Sequence, residues 1–169
     1  HGVWRGDGGT RFEHALLRSW SESESPGLLN RSYSIDQWSA ETSVRRTWTR
    51  SWQSELRTRI DLKRDRYMEE PVRARTSAVA MENRLSFLGR FRSLASVEWR
   101  RTDLQGMLPR GAAAWELTGG TGAGPAWILS LQASGNLSRG VRLQVRGTGR
   151  TSLQGRFRQT LEVAVNARF

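Results

Sequence analysis

A strict period of two in hydrophobicity constrains this chain more than any other feature. From Leu161 to Phe169, Leu161, Val163, Val165, Ala167 and Phe169 fall on one side, and Glu162, Ala164, Asn166 and Arg168 fall on the other. Only an extended strand sorts alternate residues onto opposite faces, so the segment is predicted to be a β-strand with one apolar face. The segment Trp52–Lys63 repeats the pattern over a longer run. Trp52, Ser54, Leu56, Thr58, Ile60 and Leu62 oppose Gln53, Glu55, Arg57, Arg59, Asp61 and Lys63. A strand of about 9–11 residues is what a tilted crossing of a bilayer needs, whereas soluble strands average about 5–6. Periodicity leaves two readings open. In a soluble sheet the charged face looks at water; in a membrane barrel it fills the lumen. Strand length favours the second.

Mean hydropathy is −0.61, and no run approaches the roughly 20 apolar residues of a membrane helix. That excludes helical spanning only, because a barrel carries its lipid face in alternate positions. With no cysteine there is no disulfide framework to read. The chain opens on His1 with no visible signal peptide, which is expected of a processed or excerpted chain. The net charge is +11, and Lys63 is the single lysine among 27 basic residues. A nucleic-acid surface gathers its basic residues on one face or in one run. Here the arginines are spread along the chain at alternate strand positions, which disfavours nucleic acid as a partner. Arginine suits a barrel interior, where its planar fork pairs with carboxylates, and a rim facing phosphates.

Taken in order, residues 1–10 are expected to be an irregular Gly-rich leader and 11–169 one β-barrel domain. The Arg5-Gly6-Asp7 triplet is read as chance. About eight strands follow, over 11–20, 34–48, 52–63, 78–88, 91–100, 125–137, 141–148 and 161–169. Short turns fall near Thr49-Arg50, Gly89-Arg90 and Ser138-Arg139-Gly140, and long connections over 21–31, 64–77, 101–124 and 149–158. Short turns at one end and long loops at the other are the layout of outer-membrane barrels. The Gly119–Gly124 run is read as a flexible loop, since no Gly-Lys-Ser/Thr and no expected helix follow it.

This layout distributes the side chains into expected roles. Leu56, Ile60, Leu62, Val97, Leu129, Leu131, Leu143, Val145, Val163 and Val165 are the lipid-facing candidates. Glu55, Arg57, Arg59, Asp61, Arg92, Glu98, Arg100, Arg142, Arg146, Glu162 and Arg168 are read as an ion-pair network filling the lumen. In a closed eight-strand barrel the interior is only wide enough for side chains. Trp48, Trp52, Phe87, Phe91 and Phe169 collect at the short-turn end, and Trp99 and Trp127, with Trp20 and Tyr67, at or beyond the other. Two such aromatic girdles are what the two interfaces of a bilayer select. Chemistry is scarce. His1 is terminal, and His14 has no nucleophile or orienting acid recognisable around it. No metal-ligand spacing occurs. The expectation is a protein without enzymatic activity or cofactor.

The ending Leu161–Phe169, an alternating strand closing on an aromatic residue, resembles the C-terminal signal strand of bacterial outer-membrane β-barrels. Leu108-Pro109-Arg110, Trp115-Glu116-Leu117, the Gly-rich loop, Asn136–Leu143 and the terminal strand also resemble the C-terminal hairpins of large outer-membrane proteins. Those proteins occur in Bacteroidetes, Gemmatimonadetes and related bacteria. The resemblance covers about a third of the chain. It implies an antiparallel transmembrane β-barrel in the outer membrane of a Gram-negative bacterium, with lipid and lipopolysaccharide around it. It further implies that Leu161, Val163, Val165 and Phe169 are read by the barrel-assembly machinery. The function it implies is an anchor or scaffold, or a subunit or terminal section of a larger assembly with other chains. Whether the barrel is complete stays open, because such hairpins end longer chains. Two alternatives remain beside it: an anion-preferring pore with an Arg-rich lumen, and a soluble basic β-barrel or sandwich that binds acidic polymers.

Overall fold

A computed structural model describes residues 1–24, 32–67, 71–87, 90–106, 112–136, 141–151 and 156–167. Among the described residues the fold is all-β apart from one short α-helix and a 3-10 turn at Asp7–Gly9. Its strands are β1 (Gly2–Arg5), β2 (Thr10–Ser23), β3 (Tyr33–Thr49), β4 (Trp52–Asp65), β5 (Val72–Phe87), β6 (Phe91–Gln105), β7 (Gly124–Asn136), β8 (Val141–Thr151) and β9 (Phe157–Ala167). Helix α1 (Ala112–Thr118) lies between β6 and β7. The nine strands form one sheet in chain order, each antiparallel to the next. No pairing of β9 with β1 is found among the described residues. Among the described residues no helix is long and apolar enough to cross a membrane, which says nothing of a β-barrel.

The eight strands expected from the alternation are β2 to β9. The ninth, β1, lies inside the stretch expected to be an irregular leader. Its Trp4 sits opposite Phe12 of β2, with ring centroids 5.2 Å apart. Four residues are too few for a period of two to stand out. The connections expected over 64–77, 101–124 and 149–158 also shrink, because pairing runs on to Asp65, Val72, Gln105, Thr151 and Phe157. On β4–β6 the apolar face ends there, its positions taken by Arg64, Arg73, Arg75 and Asp103, while Val72, Ala74 and Leu104 stand on the opposite face; backbone pairing needs no apolar face and runs on. Apart from β1 the strands span 11 to 17 residues, beyond the usual soluble length.

The helix is the second correction. Ala112, Ala113, Ala114, Glu116 and Leu117 are strong helix formers, but seven residues are too short to show a helical period. The Gly119–Gly124 run, expected to be a flexible loop, is the turn that ends this helix. Gly119 and Gly120 have φ of 60° and 76°, and the Gly120 amide donates to the Trp115 carbonyl at 3.1 Å. A left-handed residue closing the last turn in this way is a standard helix stop. Any Cβ at Gly120 would also meet the Trp115 ring at 2.6 Å. The side of α1 carrying Leu117 packs with Ile35, Val72 and Ala74, flanked by Tyr33 and Leu104. This small apolar cluster, on one face of the sheet at the long-loop end, is the only hydrophobic core among the described residues.

Candidate functional site on the polar face

Strand register sorts the side chains of β2–β9 into two faces of opposite character, and their burial is inverted. On the polar face Glu55 is 5 % exposed, Asp61 8 % and Asp65 1 %, and Ser39, Ser43, Thr76 and Thr102 are also buried. On the apolar face Leu131 is 43 % exposed, Leu56 49 %, Val163 58 % and Leu161 70 %. A soluble protein buries apolar groups and leaves charges in water, because an uncompensated charge out of water costs more than any side chain gains. Here Glu55 and Asp61 are compensated by arginines, and Asp65 accepts from the backbone amides of Ser34 and Tyr67 at 3.1 and 3.0 Å.

The compensation is concentrated on β2–β5. Their polar face carries Arg11, Arg45, Arg57, Arg59, Lys63 and Arg84 against Glu13, Glu41, Glu55, Asp61, Asp65 and Glu82, six of each sign. Glu55 is the centre of this lattice. One of its oxygens accepts from Arg45 Nε and Nη2 at 2.8 and 2.7 Å, and the other accepts from Arg57 at 2.8 Å. Arg57 also lies 3.2 Å from Glu41. Asp61 accepts from Arg59 at 2.9 Å, Ser39 at 2.5 Å and Gln37 at 3.2 Å. Arg84 pairs with Glu82 at 2.7 Å, and on β6 Arg100 pairs with Glu98. Buried carboxylates satisfied on several lone pairs are the one arrangement in which such charges are tolerated. Helix α1 covers this region from β3 to β5, where Lys63 Nζ donates to the Glu116 carbonyl at 2.5 Å. A cavity of about 190 Å³ lies beside Arg57, Arg59, Asp61, Lys63 and Arg100.

The other half of the same face differs. On β6–β9 six arginines, Arg92, Arg100, Arg142, Arg146, Arg150 and Arg158, meet two carboxylates, Glu98 and Glu162. The Arg100–Glu98 pair is the only ion pair there among the described residues. At the short-turn end this half opens into a groove of about 520 Å³, lined on its polar side by Arg84, Arg92, Arg142, Arg146, Gln132 and Glu162.

The residues expected to form a lumen network therefore fall into two groups. The structure brings together Glu55 with Arg57, Arg59 with Asp61, and Glu98 with Arg100. It leaves Arg92, Arg142, Arg146 and Glu162 on the same face with no ion pair among the described residues; Arg168 and Phe169 lie outside them. Sequence reasoning missed Arg45, Glu41, Glu82 and Arg84, although the parity that placed Glu55 would have placed them too.

All ten lipid-facing candidates share the apolar face. Leu56, Ile60, Leu62, Leu129, Leu131, Val163 and Val165 are exposed, and Val97, Leu143 and Val145 are half-buried. Trp48 stacks on Trp52 at 5.5 Å and Phe87 is the register partner of Phe91, all at the short-turn end. Trp99 and Trp127 are direct partners near the other end, where Trp20 and Trp38 stand higher on the same face. Trp38 and Trp48 are ten residues apart on β3, about 33 Å of strand, or about 25 Å of height at the usual tilt. Toward this end the face turns charged: Arg18 and Arg75 are level with Trp38, Arg64, Arg66 and Arg73 lie beyond it, and Arg101 stands just past Trp99 on β6. Arg18 and Arg66 bind Asp36 at 3.2 and 3.0 Å. Arg46 is the charge within the apolar band, and its guanidinium lies over the Trp48 ring at 4.3 Å.

His14 also lies on the apolar face, with its Nδ1 2.8 Å from Thr42 Oγ1 and no carboxylate bound to it among the described residues. No group of three or more His, Asp or Glu able to hold a metal is found among the described residues. No known family model matches the sequence, and no curated protein matches it.

Proposed function

We propose that this chain is a membrane-spanning antiparallel β-barrel, or a section of a wider one, in the outer membrane of a Gram-negative bacterium. In this reading it has no enzymatic activity. It acts as an anchor or scaffold that displays its long loops, or as a subunit of a larger assembly. The inverted burial carries the reading. At roughly half exposure, the ten apolar-face candidates left in water would forfeit about 1 kcal/mol each, or about 10 kcal/mol. A whole domain is stable by only about 5–15 kcal/mol. That face therefore needs a cover, and an aliphatic band about 25 Å high between two sets of aromatic residues matches a bilayer. The arginines beyond Trp38 lie where lipopolysaccharide phosphates would be. Strand β9 is an edge of the sheet among the described residues, so its unpaired backbone groups are where assembly machinery or further strands would pair, with Leu161, Val163 and Val165 continuing the apolar face.

Two measurements test this. The first is a gel of the membrane fraction, unboiled against boiled: a mobility shift is expected of a detergent-resistant barrel. The second is Leu131→Arg. At mid-bilayer it costs about 2–4 kcal/mol, whereas an exposed surface site in water tolerates it within about 0.5 kcal/mol. A chain that stays folded in buffer without detergent and tolerates Leu131→Arg is a soluble protein, and the membrane reading falls.

A further inference from the structure

We infer that the groove at the short-turn end of β6–β9 is a binding site for a small polyvalent oxyanion, a phosphorylated or polycarboxylate solute. Three observations combine. First, Arg92, Arg142 and Arg146 lie on one face with no carboxylate within ion-pair distance among the described residues, whereas the arginines of β3–β5 on that face are held by carboxylates at 3.2 Å or less. Glu162, the register partner of Arg146, offsets one charge at most.

Second, register makes the three arginines converge. Arg92 faces Ser134 on β7, and Ser134 faces Gln144 on β8, midway between Arg142 and Arg146. Arg92 is thus two strands away, about 10 Å, and Arg142 and Arg146 are about 13 Å apart along β8. Extended arginine side chains from these corners reach a common centre, with Ser134, Gln132 and Gln144 as neutral donors beneath. Third, the volume of about 520 Å³ falls within the roughly 300–1,000 Å³ of small-molecule clefts. Guanidinium forks bind phosphate and carboxylate oxygens in pairs, and like charges gathered on a low-dielectric wall concentrate anions.

The site sits on the face read above as the lumen, but binding requires only the folded sheet, so its test is separate from the membrane test. Titration calorimetry of the purified chain, in buffer or detergent, whichever keeps it folded, uses pyrophosphate in one arm and citrate in the other. Saturable binding of at least one is expected, weakening with added salt. Arg92→Gln/Arg142→Gln should weaken it by about tenfold or more, while Arg101→Gln, on the opposite face and at the far end, changes it less than about twofold. Tighter pyrophosphate binding marks a phosphorylated ligand; tighter citrate binding marks a polycarboxylate. No saturable binding of either anion by the folded chain, or equal affinity in the double variant, overturns the proposal whatever the gel shows.

Discussion

The polar face has two halves built from the same residue types with opposite results. On β2–β5 acids and bases are equal in number, the carboxylates at the centre are buried, and α1 closes the space above them. On β6–β9 the arginines outnumber the acids threefold and the short-turn end stands open. The difference shows that arginine content alone does not define a function. A guanidinium held at 2.7–2.9 Å by a buried carboxylate is structural. The same group without such a partner is available to a ligand.

The strongest way to break the comparison is at the centre of the paired half. Glu55→Gln would leave Arg45 and Arg57 facing a neutral amide on the buried face. The expected loss is about 3 kcal/mol, the low end for breaking a buried pair because both arginines are partly exposed. Urea unfolding followed by tryptophan fluorescence measures it. A loss below about 1 kcal/mol would make the lattice no stronger than surface ion pairs and erase the contrast.

The next effect is local. Leu117, fully buried, anchors α1. Leu117→Ala should cost about 2 kcal/mol and show as faster amide exchange at the end of the helix while the strands stay protected. Uniform loss of protection across β3–β5 would mean that the helix supports the sheet as well as covering it. The smallest effect sharpens the comparison from the open half. Arg142→Gln removes a charge that no carboxylate holds, so stability should stay within about 0.5 kcal/mol of the parent. A loss approaching that of Glu55→Gln would reveal an unseen partner.

Much of this was legible one strand at a time. The parity of β4 and β9 placed Leu56, Glu55, Val163 and Glu162 on their faces before any pairing was known. The order of short turns and long connections likewise gave the meander. Strand β1 and helix α1 escaped because four and seven residues carry too little periodicity to read. The ends of β4, β5 and β6 escaped because pairing outlasts the apolar pattern that signals it. The network was half legible. Arg57 and Glu55 are two residues apart on one face and could be paired from sequence, but Arg45 and Glu55 meet only across a hairpin whose register must be known.

The sequence by itself thus determined which face of each strand is apolar, because a period of two follows from strand geometry and nothing further. Tertiary structure alone decided which charges find partners. An ion pair depends on lateral register between strands about 4.8 Å apart, and the fold also brings α1 back over β3–β5 and leaves the groove at the opposite, short-turn end of β6–β9 open.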